Sequence, residues 1–286
     1  MEMSMKPFIK WAGGKRTLAE QIYAHIGPIQ EDATYYEPFL GGGAMLLHIC
    51  PETAVCFDIN EDLINLYNVI KEAPEELLAV LKEQYFKCHN SEFYYATRNI
   101  DRDKKKYASL SATQRAARFL YLNKTCYNGL WRENSKGQNN VPMGRYKNPC
   151  VINDDEILEV SKYFNEHNIC FCNRDYKSVL DLVKENDIVY FDPPYDMEEE
   201  QNSFVSYAKG GFNREEQLKL KQLCDELVLK GATVVVSNSN TTYIREIYSV
   251  GPVRYELIYD VVARRSIGSR SNSRRQINEL LIVGRP

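Results

Sequence analysis

The chain is short of several things, and each shortage removes a class of protein. Histidine occurs four times in 286 residues, scattered, and Cys170 and Cys172 have no second close cysteine pair, so no structural zinc cluster is expected. No long uncharged apolar run is present, which argues against a membrane-spanning helix. The N-terminal stretch passes from Met5–Lys6–Pro7 into mixed sequence without the apolar centre of a signal peptide. A cytoplasmic protein with eight reduced cysteines is the resulting expectation. Cys170 and Cys172 alternate in a strand-like stretch and should share a face, and the cysteines as a group should be core thiols. Positive charge is not in excess either. The formal net charge is −3, so any surface for a polyanion must be local. Neither an internal repeat nor a low-complexity segment is visible.

What is present is organised around Ile188–Val189–Tyr190–Phe191–Asp192–Pro193–Pro194–Tyr195. The apolar run reads as a buried strand that Pro193 and Pro194 stop, since neither can donate to a ladder. Asp192 is thereby placed at a strand's C-terminal end, where open α/β sheets hold ligands. Its carboxylate and the Pro193 carbonyl can both accept from an amine, and the Tyr195 ring can cover a flat substrate. That combination suits the exocyclic amino group of a planar base.

Earlier in the chain, Trp11, Gly13, Gly14 and Lys15 make a glycine turn with a flat face and a cation beside it, ahead of the helical spacing Leu18, Ile22, Ile26. A glycine turn next to a core tryptophan reads equally well there. Thr34–Glu37 is a candidate strand, followed by Pro38–Phe39–Leu40–Gly41–Gly42–Gly43 and an apolar helix start. Strand, glycine loop and helix is a nucleotide-binding arrangement, although this loop is neither the dinucleotide fingerprint nor a phosphate loop. A second strand, Ala54–Phe57, ends in Asp58, placed to accept from both hydroxyls of a ribose or to cap the next helix.

From about Leu66 the strand–helix rhythm stops. Pro74–Phe86 and Ala112–Asn123 have helical spacing, the latter with Ala116, Phe119 and Leu120 inward and Arg115 and Arg118 around its side. The tract Lys124 to Lys147 then holds five basic residues (Lys124, Arg132, Lys136, Arg145, Lys147) against the single acid Glu133. Asparagines, glycines and aromatics are interleaved, a mixture able to read base edges and stack on bases, or to form a solvated polar turn. The rhythm resumes near Asn168, with Asp175–Tyr176 opening a helix through Val179 and Val183. Met197–Gly211 reads as a mobile acidic lid and Phe212–Lys230 as a long helix stopped by Gly231. Val253–Val262 and Ile277–Val283 read as two final strands. Arg264, Arg265, Arg270, Arg274 and Arg275 lie between them, with no acid from Asp260 to Glu279, as phosphate contacts would require.

Taken in this order, the motifs resemble those of DNA adenine-N6 methyltransferases of the Dam type, in the group with the recognition domain between cofactor loop and catalytic motif. The resemblance runs from Lys10–Trp11–Ala12–Gly13–Gly14–Lys15 to Glu279–Leu280–Leu281. Glu37–Pro38–Phe39–Leu40–Gly41–Gly42–Gly43 matches the family's S-adenosylmethionine loop, Asp58 its ribose acid and Asp192–Pro193–Pro194–Tyr195 its catalytic motif. Tyr127–Asn128–Gly129–Leu130–Trp131–Arg132 and Asn140–Val141–Pro142–Met143–Gly144–Arg145–Tyr146 match the target-reading region of GATC-specific members.

The resemblance implies a Rossmann-like, seven-stranded methyltransferase sheet over residues 1–64 and 155–286, with a helical target-recognition domain inserted at 65–154. It implies methyl transfer from S-adenosylmethionine to N6 of adenine in double-stranded DNA, in GATC, with the adenine flipped out of the helix. Asp192, Pro193 and Tyr195 are then catalytic. Trp11, Lys15, Phe39, Gly41, Gly43, Asp58, Asp175 and Tyr176 bind the cofactor. Lys124, Tyr127, Asn128, Leu130, Arg132, Pro142, Arg145, Tyr146, Arg270, Arg274 and Arg275 contact DNA. The expected setting is a monomer in a prokaryotic or phage-infected cytoplasm, at the nucleoid when on DNA, with or without a restriction endonuclease of the same specificity. An RNA adenine or a protein glutamine as the acceptor, or a non-catalytic DNA-binding protein, are the alternatives.

Overall fold

The computed structural model describes residues 5–146, 153–197, 212–263 and 277–286. The arginine turn with Arg270, Arg274 and Arg275, and the lid after Met197 with its Glu198–Glu200 run, lie outside the described residues.

The first alternating run is α1 (Ala19–Ile26), β1 (Tyr35–Glu37), α2 (Ala44–Ile49), β2 (Thr53–Asp58) and α3 (Glu61–Glu72). Four helices follow with no strand between them: α4 (Pro74–Val80), α5 (Ser91–Arg98), α6 (Lys104–Ala108) and α7 (Ala112–Thr125). The rhythm returns with α8 (Asp154–Glu166), β3 (Asn168–Asn173) and β4 (Ile188–Phe191). It closes with α9 (Arg214–Leu229), β5 (Thr233–Ser239), α10 (Thr242–Tyr248), β6 (Tyr255–Ala263) and β7 (Ile277–Gly284).

Seven strands form one sheet in the order β3-β2-β1-β4-β5-β7-β6. β1 runs parallel to β2 and β4, and β4 parallel to β5. β7 is antiparallel to β5 and β6, so the two last extended runs pair as an antiparallel hairpin. This is the Rossmann-like, seven-stranded sheet with an inserted helical run that the resemblance implies. The strand order reverses direction between β1 and β4, the switch point where such sheets leave a crevice at the strands' carboxyl ends. β1 and β4 are buried at every position, which is why β4 reads as an unbroken apolar run and not as an alternating one.

By its contacts the chain divides into two compact units. One comprises Met1–Arg16, Gly41–Cys50 and Asn60–Asn173. Its aromatic core joins Phe8, Tyr67, Phe164 and Phe171. Within it Pro74 occupies the first turn of α4, where its missing N–H costs nothing. Ser111 and Gln114 make a reciprocal capping box at the start of α7, with bonds of 3.1 and 2.9 Å. The other unit comprises Thr17–Leu40, Pro51–Ile59 and Arg174–Pro286, with Leu18, Ile22 and Ile26 buried at their four-residue spacing.

Three local expectations need correction. Cys170 and Cys172 do share a face, their sulfurs 3.6 Å apart, but Cys170 is exposed and Cys172 half-buried. Ile169 and Phe171 take the covered face of β3, which leaves the alternate positions open. Cys56, Cys126 and Cys224 are buried as expected. Arg118 lies inward and is 1% exposed, because backbone carbonyls and Asp101 satisfy its guanidinium. Residues Tyr176–Asp181 form a 3₁₀ turn instead of an α-helix, with Asp175 as its cap at 2.9 Å from the Lys177 N–H.

The base of the switch point is fixed by one buried carboxylate. Asp187 accepts from the Thr34 N–H at 2.8 Å and the Lys184 N–H at 2.7 Å, holding the entry to β1 beside β4. Asp187→Ala removes the acceptor of both N–H groups, each such bond contributing about 1–2 kcal/mol. Urea unfolding of that variant should show a loss of about 2–4 kcal/mol.

Candidate active site

In the second unit, Asp192 is the first residue after β4, half-buried, and Pro193 behind it is buried. The following residues are pinned at several points. Gln217, fully buried on α9, donates to the Pro194 carbonyl at 2.8 Å and accepts from Asn238 at 3.0 Å. Asp196 accepts from Thr241 at 2.7 Å and pairs with Arg214 at 3.3 Å, and its carbonyl receives the Ser239 hydroxyl at 2.6 Å. The Tyr195 hydroxyl donates to Glu279 at 2.9 Å. Burial, then the Asp192 and Glu279 carboxylates, push this phenol well above its ordinary range, so Tyr195 stays protonated. The motif is a rigid shelf that presents a carboxylate and a neutral ring.

At the neighbouring strand end Glu37 is buried and accepts from the Tyr35 hydroxyl at 3.1 Å. The Leu40 N–H donates to the Phe57 carbonyl at 2.9 Å, tying the loop after β1 to β2. Phe39 stacks on Tyr176 with ring centres 5.1 Å apart and meets the edges of Phe191 and Phe212. Tyr176 donates to Glu216 at 3.1 Å, and burial and that carboxylate raise its pKa. Phe39 and Tyr176 are thus one aromatic wall, with Asp175 capping the turn that carries Tyr176. Asp58 ends β2 half-buried, and the helix cap falls to Asn60, which accepts from Leu63 N–H at 3.0 Å. Ile59 next to it is 80% exposed, an unusual position for an isoleucine at a sheet's edge.

The first unit contains the glycine loop and the N-terminal turn. Gly41 and Gly43 have φ of 48° and 61°, the left-handed region. A Cβ at Gly41 would lie 2.7 Å from the Trp11 ring, and one at Gly43 would lie 2.6 Å from the Tyr67 hydroxyl, which itself donates to the Gly41 carbonyl at 3.1 Å. Lys15 is buried and donates to the Gly13 carbonyl at 2.7 Å. The tryptophan, expected beside its own Gly13–Gly14 turn, is packed on the Gly41–Gly43 loop.

The basic tract in the same unit folds into an antiparallel ribbon. Cys126 bridges Met143 and Glu133 bridges Asn139, with a turn around Asn134–Gln138. The Tyr127 N–H donates to the Pro142 carbonyl at 2.9 Å, so the two sequence segments resembling a target reader lie side by side. Asn128 and Gly129 are both left-handed, at φ 56° and 64°. Tyr127, Arg132, Pro142, Arg145 and Tyr146 are exposed, whereas Lys124, Asn128 and Leu130 are half-buried. Arg132 donates from Nε to the Asn140 side chain at 2.7 Å, which fixes the base of its guanidinium.

A family model for D12 class N6 adenine-specific DNA methyltransferases matches residues 11–267. The chain belongs to that family. Its relatives include a Type II methyltransferase, M1.LlaDCHI, of Lactococcus lactis subsp. cremoris, 36% identical over 99% of this chain and 96% of the relative. Another Type II methyltransferase, M.MjaIII of Methanocaldococcus jannaschii, is 36% identical over 98% of this chain and 99% of the relative. The DNA adenine methylase of Escherichia coli K12 is 33% identical over 98% of this chain and 96% of its own length. The D12 methyltransferases act with S-adenosylmethionine on adenine N6 in DNA, and at that level the activity of this chain is set.

Sequence reasoning did not single out Gln217, Asn238, Asp196, Glu279, Tyr67 or Ile59. Gln217 had a visible signal, an amide three residues before Leu220 on the apolar face of α9. Asn238, Asp196, Glu279 and Tyr67 are placed by contacts distant in sequence, and Ile59 stands out by its exposure alone. The crowding at the glycine loop has a direct test. Gly43→Ala should destabilise the protein by about 1–2 kcal/mol from its left-handed φ alone. Tyr67→Phe, which removes the colliding hydroxyl, should recover part of any excess, read as non-additivity in a double-mutant cycle of thermal unfolding.

Proposed function

We propose that this methyltransferase methylates adenine N6 within GATC in double-stranded DNA, on a base flipped out of the duplex. The observation that carries the reading is the rigid Asp192–Pro193–Pro194–Tyr195 shelf at the carboxyl end of β4, beside the switch point. Asp192 and the Pro193 carbonyl accept the two N–H bonds of the target amine, which draws its lone pair out of conjugation with the ring. Tyr195, held by Glu279, stacks on the base. Asp192 acts as an orienting electrostatic group, since the nitrogen need lose its proton only as the bond to carbon forms.

S-adenosylmethionine, when bound, supplies an electrophilic methyl group on a sulfonium. The residues fit it. The glycine loop has no room for a Cβ at Gly41 or Gly43, because Trp11 and Tyr67 pack against it, which fixes the loop's backbone beside the proposed site. Asp58 offers an acceptor for ribose hydroxyls, and exposed Ile59 offers an apolar face for a purine. Trp11, Lys15, Phe39, Asp175 and Tyr176 complete the proposed set. Residues 65–154 are proposed as the target-recognition domain, its ribbon carrying Arg132 to a guanine edge while Tyr127, Asn128, Leu130, Pro142 and Tyr146 sit at the same surface. Lys124, Arg145 and, beyond the described residues, Arg270, Arg274 and Arg275 are proposed phosphate contacts.

Single-turnover methylation should be nearly abolished in Asp192→Ala while S-adenosylmethionine affinity stays within about threefold, because the lost interaction is with the target amine. Turnover near wild type would remove Asp192 from its role.

Arg132→Ala tests the target. A bidentate arginine–guanine contact contributes about 1–3 kcal/mol of discrimination. The ratio of kcat/KM for GATC over a duplex altered at that guanine should therefore fall about 5- to 150-fold. An equal loss on every duplex makes Arg132 a backbone or structural residue, and the same assay on RNA separates that acceptor.

A further inference from the structure

The ribbon's second strand is held by its partner strand and, in addition, by side chains from the helices. The Asn139 N–H donates to Asp101 Oδ2 at 2.9 Å, and the Asn139 carbonyl accepts from Arg102. Two residues on, the Val141 carbonyl accepts from the Tyr94 hydroxyl at 3.0 Å and from Arg98 at 3.1 Å. Burial keeps the Tyr94 phenol above its ordinary range, so it remains a donor. Asp101 is in turn gripped by Arg118 at 2.9 Å. Arg118 is one of the largest fully buried side chains of the described residues, and its guanidinium also donates to the Thr97 and Arg98 carbonyls at 3.0 and 2.8 Å and lies over the Tyr107 ring.

A buried arginine on α7 paired with a carboxylate of the preceding turn is costly to desolvate, and such a pair can serve to fix one arrangement. The arrangement fixed here is the register of the ribbon. Around this clamp the ribbon is not packed tightly: a cleft of about 430 Å³ separates its turn from the helices, lined by Asp62, Lys104 and Tyr107 on one side and Trp131, Glu133 and Gln138 on the other. Asn139 is 2% exposed and is followed by Asn140, whose N–H donates to the Arg132 carbonyl at 3.0 Å and whose side chain accepts from Arg132 Nε at 2.7 Å. Displacing Asn139 displaces Arg132.

We infer that Asp101, seated by Arg118, is a positioning residue for target recognition, acting through Asn139 and Asn140 on Arg132. It touches neither DNA nor cofactor. The inference rests on the reading of the ribbon as the segment that meets DNA. A misplacement of about 1 Å far from the chemistry can lower an enzyme's efficiency about 100-fold. The effect here should fall on recognition and spare the methyl-transfer step.

The test is Asp101→Asn, which keeps the shape and loses the charge, with Arg102→Ala as a second variant that leaves the Arg118–Asp101 pair in place and removes both the bond to the Asn139 carbonyl and Arg102's own ion pair with Asp101. Each is assayed on GATC and single-substituted duplexes, for S-adenosylmethionine affinity, and for hydrogen exchange across residues 126–144. Both should raise KM for the GATC duplex, by about tenfold for Asp101→Asn, and lower the ratio of kcat/KM between the duplexes by a similar factor. Their kcat at saturating DNA and their cofactor affinity should stay within about threefold of wild type, and the Asn139 amide should exchange at least about tenfold faster. Unchanged KM, ratio and exchange in folded variants overturn the inference; if Asp101→Asn does not fold, Arg102→Ala decides on the same readouts. A wild-type enzyme that does not discriminate between the duplexes overturns the reading of the ribbon and the inference with it. A discriminating wild type with unchanged variants overturns the inference alone.

Discussion

A parallel strand buried on both faces must hand every backbone donor to a neighbour, and β4 can do so only as far as Phe191. Pro193 and Pro194 have no N–H to give, so the ladder stops and Asp192 is left at the sheet's carboxyl edge. The site follows from that constraint. Buried helix and strand amides, Gln217 and Asn238, take up the polar groups that the proline turn leaves over. Tyr195 is then carried back against β7, where Glu279 holds its hydroxyl. Proline chemistry determines where the acid stands, and long-range hydrogen bonds determine how still it is kept.

The same division of labour recurs in the other unit. Glycines at Gly41, Gly43 and Gly129 allow close approach: a Cβ at Gly129 would lie 2.4 Å from the Lys10 side chain, as one at Gly41 would collide with Trp11. Asn123 locks this proximity, accepting from the Lys10 N–H at 3.0 Å and donating to its carbonyl at 2.7 Å. Phe119 on α7 lies between the two tryptophans, with ring centres 6.3 Å from Trp11 and 4.0 Å from Trp131. Residues near the glycine turn and residues of the ribbon are therefore packed on one helix. This gives the D12 fold a physical reason to insert its helices where it does: α7 supports both.

Much of this could be read from the residues. Local chemistry was the legible part: the proline stop after Asp192, the four-residue spacing of Leu18, Ile22 and Ile26, Pro74 opening α4 and the loss of strand rhythm after Leu66. The sheet order was not legible, because β1 and β4 pair across about 150 residues and parallel strands carry no hairpin signal. Arg118 was misplaced for a related reason. An arginine on a helix reads as a surface residue unless its partners are known, and Thr97, Arg98 and Asp101 lie 17 to 21 residues earlier. Cys170 and Cys172 show the reverse case: alternation assigned them one face correctly, but which face was covered depended on helix packing. The Glu279–Tyr195 bond spans 84 residues and has no local signature at all.

The central claim is that this chain places a methyl group on adenine N6 of duplex DNA. The direct measurement is sequencing of modified bases in DNA from cells that express it, against cells that do not. The account predicts N6-methyladenine confined to GATC and present on both strands of that palindrome. Methylation on cytosine, or expressing cells whose DNA carries no added N6-methyladenine although the folded protein is present, would contradict it.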